Sequence, residues 1–167
     1  RNSKFLENNA TGQGGAILMN AGGEVYDSYF YNNSANLGGA VHIGGVGASV
    51  VSGCLFENNK AITGANKQGG AIRSQSTVAT IINSKFINND AAGNGSAIYT
   101  QVDTDKANKI INCVFYGNKT KSALYLRGAA VYNSTIVNNE GGGVYTATKD
   151  AQIYNSVFWA KNKSKAT

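Results

Sequence analysis

Ser3–Ile17 reads S-K-F-L-E-N-N-A-T-G-Q-G-G-A-I. Its skeleton is S-x-F-x-x-N, a short polar gap, then G-G-A and a branched apolar residue. The same phrase returns at Ser28–Val41, Cys54–Ile72, Ser84–Ile98, Cys113–Leu124 and Ser134–Val144, and a half-copy opens at Ser156. The anchors Phe5, Phe30, Phe56, Phe86, Phe115, Ile136 and Phe158 are spaced by 25, 26, 30, 29, 21 and 22 residues. A self-similar period of this size marks a stacked-repeat architecture, in which each copy buries its apolar face only against its neighbours.

No 3.6-residue apolar period runs through the repeat, whereas period two does, as in strands. One strand follows Gly-Gly-Ala and turns Ile17/Met19, Val41/Ile43, Ile72/Ser74, Ile98/Thr100, Leu124/Leu126 and Val144/Thr146 inward. A second precedes each anchor, led by Val25, Val51, Ile81, Ile110, Val131 and Ile153, and a Ser or Cys points the same way as the Phe two residues on. Asn8, Asn33, Asn59, Asn89, Asn118 and Asn139 sit three after the anchor. Asn2, Asp27, Asn83, Asn112, Asn133 and Asn155 sit three before it. Asn accepts left-handed backbone at tight bends, and equal Asn side chains in register form hydrogen-bonded ladders. Gly-Gly supplies a further bend. Each repeat is therefore one coil of two or three strands, stacked on the next by parallel pairing about 4.8 Å away. The expected fold is an all-β, right-handed, single-stranded parallel β-helix, a solenoid of about six coils of 21–30 residues.

The paired motifs Phe5-Asn8/Gly14-Ile17, Phe30-Asn33/Gly38-Val41, Phe56-Asn59/Gly69-Ile72 and Phe86-Asn89/Gly95-Ile98 resemble the repeats of polymorphic outer-membrane and adhesin-like β-helix proteins. The likeness spans nearly the whole chain. Later coils depart from it, with Lys121-Ser122 for Gly-Gly, Ile136 for Phe and Lys161 for Asn. The resemblance implies a secreted or surface-exposed adhesin or glycan-binding protein. Some relatives of such a fold cleave polysaccharides, with basic residues as proton acceptors and an acidic or calcium cluster on the uronate. The G-G-A strands here carry basic residues without the carboxylates.

Residues 1–167 suit a single domain, and both ends fall inside a repeat with no polar cap, so the chain reads as a section of a longer one. No run of about 18 apolar residues offers a transmembrane helix. The net charge of +6 suits acidic glycans, and no Lys/Arg cluster interleaved with aromatics points to nucleic acid. The charge run Lys161–Lys165 reads as a solvated edge that discourages strand addition. Cys54 and Cys113 share the Ser column with Ser84 between them. Two coil steps are roughly 9–10 Å, too far for a disulfide, so both are expected as buried, inert thiols.

Candidate chemistry is thin. Asp103 and Asp105 are the one close carboxylate pair, open to a metal clamp or acid/base pair but read first as a solvated loop. His42 is the sole histidine and has no placed partner for a triad or metal site. Neither a metal nor a cofactor is expected. Sequons at Asn9, Asn32, Asn94, Asn118, Asn133 and Asn162 are what an Asn/Ser-rich repeat produces, and Asn118 and Asn133 are also wanted in ladders.

The strongest functional expectation is a column. The residue after each inward apolar position must point outward, giving Leu18, His42, Arg73, Tyr99, Tyr125 and Tyr145 down the coils. Six rungs span roughly 24 Å. Two residues earlier, Ala16, Ala40, Ala71, Ala97, Ala123 and Gly143 are expected as a shallow outward shelf. The long gaps Lys60–Gln68 and Gln101–Lys109 would wall it at the middle. Exposed Tyr faces, with His42 and Arg73 for acidic groups, suit a polysaccharide or cell-surface glycan. The expected role is an extracellular or cell-surface binding module. The alternatives are the body of a polysaccharide lyase or glycoside hydrolase, and a rigid stalk.

Overall fold

The computed structural model describes residues 1–75, 78–102, 108–148 and 150–159. The Asp103/Asp105 pair, the Asn162 sequon and the Lys161–Lys165 run lie outside them. Three parallel sheets of seven, six and six strands run the length of the stack, so each full coil contributes three strands. The anchor sheet holds Lys4–Leu6, Tyr29–Tyr31, Leu55–Glu57, Lys85–Ile87, Val114–Tyr116, Thr135–Val137 and Val157–Trp159. The G-G-A sheet holds Ile17–Met19, Val41–Ile43, Ile72–Ser74, Ile98–Thr100, Leu124–Leu126 and Val144–Thr146. The third sheet holds Gly23–Tyr26, Ala48–Ser52, Val78–Ile82, Asn108–Ile111, Ala129–Tyr132 and Gln152–Tyr154. A two-stranded piece, Lys60–Ala61 with Asp90–Ala91, adds a fourth short side in the middle coils. Among the described residues no helix is long and apolar enough to cross a membrane.

Register follows the repeat. Phe5, Phe30, Phe56, Phe86, Phe115, Ile136 and Phe158 are successive strand partners. The five phenylalanines from Phe5 to Phe115 stack with ring centroids 4.6–4.9 Å apart and planes within 7°. Coil spacing imposes that offset-stacked geometry, which aromatic pairs favour. Around this column pack Val41, Ile72, Ile98 and Leu124 from one sheet and Val51, Ile81, Ile110 and Val131 from the other, all fully buried.

The two Asn columns divide the roles that composition left joined. Asn2, Asp27, Asn83, Asn112, Asn133 and Asn155 take φ of 46–53°, so this column makes one of the left-handed bends, and Glu7, Asn32, Asn58, Asn88 and Asn138 make another. Asn133 belongs here, exposed, and not in a buried ladder. The column three after the anchor has ordinary φ and forms the ladder instead. From Asn33 to Asn118 each amide Nδ2 donates at 2.9–3.1 Å to the next Asn Oδ1. It also donates at 2.9–3.0 Å to the anchor carbonyl of the preceding coil. Each Oδ1 in turn accepts a backbone N–H from the preceding coil, at 3.0 Å. A buried amide with every donor and acceptor used carries no desolvation debt.

The Ala column corrects the expected shelf. Ala40, Ala71, Ala97 and Ala123 are fully buried and belong to the core. The N–H groups of Ala40 and Val41 both donate to the Ala71 carbonyl at 3.0 Å, and the pattern repeats in the neighbouring coils. Two consecutive amides converging on one oxygen mean that the pleat has not begun at Ala. Alternation starts one residue later, so Ala and the apolar residue after it both face inward. The bend before them needs glycine twice over. Gly38 has φ 66°, and a Cβ on Gly39 would lie 2.1 Å from the Gly70 carbonyl oxygen.

Candidate functional site

The outward column of the G-G-A sheet is in register as expected. Leu18, His42, Arg73, Tyr99, Tyr125 and Tyr145 are successive strand partners. Their accessibility is far from uniform. His42, Arg73 and Tyr99 are only 2%, 5% and 6% exposed, Tyr125 is half-buried, and Tyr145 is 55% exposed. The expectation of an open six-rung shelf is therefore wrong for the three middle rungs.

Glutamines at the ends of the two longer loops hydrogen-bond to the middle of the row. Arg73 Nε donates to Gln68 Oε1 at 3.0 Å, Nη1 to Gln75 Oε1 at 2.7 Å and Nη2 to Gln101 Oε1 at 3.0 Å. Gln68 and Gln101 belong to the two long gaps, so one guanidinium fastens both. Its carbon sits 5.7 Å from the Tyr99 ring centroid, and burial lowers its pKa. A guanidinium engaged with three amide oxygens is a clasp for this chain.

His42 is closed off by the turn beside it. A Cβ on Gly44 would lie 3.1 Å from His42 Nε2 and 3.2 Å from Asn20 Oδ1. Its Nδ1 has no hydrogen-bond partner. Burial first, and the Arg73 charge second, lower its pKa to about 4. The imidazole is neutral at ordinary pH and shut away from any polymer, so it is not placed to act as a base on a polysaccharide.

The tyrosines stack on each other. Tyr99 and Tyr125 lie 4.8 Å apart at 12°, and Tyr125 and Tyr145 lie 5.0 Å apart at 17°. Rings piled along the solenoid axis cover one another's faces. A chain laid along the axis meets ring edges and hydroxyls, not the free faces expected from the sequence.

Beyond Tyr99 the coils shorten to 21 and 22 residues between anchors, and the row grows more exposed. There a groove of about 480 Å³ opens, lined by Asn94, Lys121, Ser122, Tyr125, Gly141, Gly142, Val144 and Tyr145. Gly142 has φ 103°, and a Cβ on Gly141 would lie 2.3 Å from the Lys121 carbonyl carbon. Both positions therefore exclude side chains, and bare backbone forms one wall. Of the expected site residues only Tyr125 and Tyr145 line this groove. Lys121, Ser122 and Asn94 were not anticipated as site residues. Their one sequence signal was the break in the repeat, Lys121-Ser122 in place of Gly-Gly.

The continuous parallel register agrees with a family model that matches the chain. The model of the right-handed β-helix region covers residues 1–158. The chain belongs to the right-handed β-helix family. No curated protein and no solved structure matches it. As in any β-helix, side chains repeat by column, so chemistry must come from breaks in a column. Cys54 and Cys113 are such breaks, and both are free and buried. Burial pushes the Cys113 thiol up to about 11 and the Cys54 thiol up as well. Among the described residues of this β-helix, no three His, Cys, Asp or Glu side chains are grouped to hold a metal. The Asn118 side chain of its sequon is fully buried in the ladder, where no glycan fits.

Proposed function

We propose that this β-helix is an extracellular or cell-surface, adhesin-like module that binds polysaccharide or cell-surface glycan through its G-G-A face. The observation that carries the reading is the groove at Tyr125 and Tyr145. It is large enough for a small ligand, open, and lined by aromatic edges, hydroxyls, an amide and a lysine. Such a lining suits a ligand covered in hydroxyl groups. The buried His42–Arg73–Tyr99 stretch does not line this groove and offers no contact surface.

The test is a glycan array with the folded wild type and a Tyr125→Ala/Tyr145→Ala double variant. Loss of signal in the double variant supports the reading. Unchanged signal, or no glycan bound by the wild type, rejects it. Arg73→Ala is expected to act through stability instead, since it unfastens two loops. The Phe5–Phe115 stack and the continuous Asn ladder favour a second, compatible reading as a rigid spacer. Force spectroscopy would show it as cooperative resistance to extension along the axis, independent of the groove variants.

A further inference from the structure

The turn that makes the groove differs from the turns before it in its hydrogen bonds. In the earlier coils the amide of the second turn residue is always used. Gly39 N–H donates to the Gly69 carbonyl at 2.9 Å, Gly70 to Gly95 at 3.1 Å and Ser96 to Ser122 at 2.9 Å. The next rung breaks the series. Lys121 N–H turns back to the Lys119 carbonyl at 2.9 Å, and Ala123 N–H donates to the Gly142 carbonyl at 2.9 Å. Between them, the Ser122 N–H donates to no described residue, and neither does the Gly141 N–H in the coil beyond. Both residues line the groove together with Lys121, its only ionised side chain. The Lys121 ammonium forms no ion pair among the described residues.

We infer that this groove is an anion site, and that it takes the carboxylate or sulfate of an acidic sugar unit, with Lys121 as counter-ion and the Ser122 and Gly141 amides as donors. Backbone N–H groups left without an acceptor favour negative charge beside them, and a lysine adds the point charge. The Gly141–Gly142 wall keeps side chains from filling the place of the anion. The Asn94 amide and the Tyr125 and Tyr145 hydroxyls remain for the sugar's own hydroxyls. The inference rests on the glycan-binding reading for the identity of the ligand, while the anion site itself stands on the turn's geometry.

Two arms of one experiment separate them. In the first, sodium sulfate is titrated against sodium chloride at matched ionic strength, following amide resonances by NMR. Saturable shifts confined to Ser122, Gly141 and their neighbours, lost in Lys121→Gln, are expected. In the second, calorimetry compares a polyuronate with its neutral methyl ester, using wild type, Lys121→Gln and Tyr145→Ala. The acid polymer should bind, Lys121→Gln should weaken it roughly tenfold, and the ester should bind no better than that variant. Equal binding of acid and ester with unmoved amides overturns the anion site and leaves the glycan reading intact. Sulfate shifts with no polymer bound keep the anion site and reject its assignment to a sugar. Silence in both arms overturns both.

Discussion

Asn59 joins three coils through one side chain. Its Nδ2 donates to Asn89 Oδ1 at 3.0 Å in the next coil and to the Phe30 carbonyl at 3.0 Å in the preceding one. Its Oδ1 accepts from Asn33 Nδ2 at 2.9 Å. Removing one member strands its neighbours in the dark. Asn89→Ala takes the Asn89 partner from the Asn59 N–H and the Phe56 carbonyl, and one of the two acceptors from Asn59 Nδ2. The expected cost is about 2–4 kcal/mol, above the net worth of one hydrogen bond, because buried groups are left unpaired. Urea unfolding of Asn89→Ala, with the exposed Lys85→Ala as a surface control, measures it.

Phe86 lies between Phe56 at 4.9 Å and Phe115 at 4.8 Å. Phe86→Ala should destabilise by about 3–5 kcal/mol through lost burial and the cavity left between two rings. Ile136→Ala should cost somewhat less, since fewer atoms leave the core. A near-neutral Phe86→Ala in equilibrium melts would contradict the stacked column.

Cys54 stands where a Ser would complete the local bonding. Ser3 N–H donates to Ser28 Oγ at 3.2 Å, and Cys54 N–H donates to Ser84 Oγ at 3.1 Å. Ser28 N–H instead donates to the Cys54 sulfur, a poor acceptor. Cys54→Ser should therefore be neutral or stabilising by about 0.5–1 kcal/mol, against the usual loss for a polar atom placed in a core. The same substitution at Cys113 should behave alike. Thermal melts decide it, and both native thiols should resist alkylation until the chain unfolds.

His42 makes stability depend on pH. Its pKa is about 4 in the fold against 6.5 for the free side chain. Between these values the unfolded chain binds the proton and the folded chain does not, so stability falls as pH drops from 6.5 towards 4. Below that window both states are protonated and the loss is complete. It should reach about 2–3 kcal/mol, allowing for partial screening. His42→Gln should flatten this part of the profile, and unaltered slopes in urea titrations at stepped pH would refute it.

Much of this molecule is local repetition, and repetition is legible. The Phe spacing, the Asn columns and the Gly pairs determined by themselves a stack of parallel coils, because each column residue meets its own kind one coil away. They placed Tyr125 beside Tyr145 and His42 beside Arg73 for the same reason. They did not reveal the phase of the pleat at Ala40. That depends on two amides sharing the Ala71 carbonyl, a relation between coils with no trace in composition. Nor did they show which rungs of the outward row meet solvent. Burial of His42, Arg73 and Tyr99 depends on where loop residues such as Gln68 and Gln101 come to rest, and loop paths carry no period. The opening at Tyr125 and Tyr145, and the unused amides of Ser122 and Gly141, belong to the tertiary structure alone. They lie where the anchor spacing shortens.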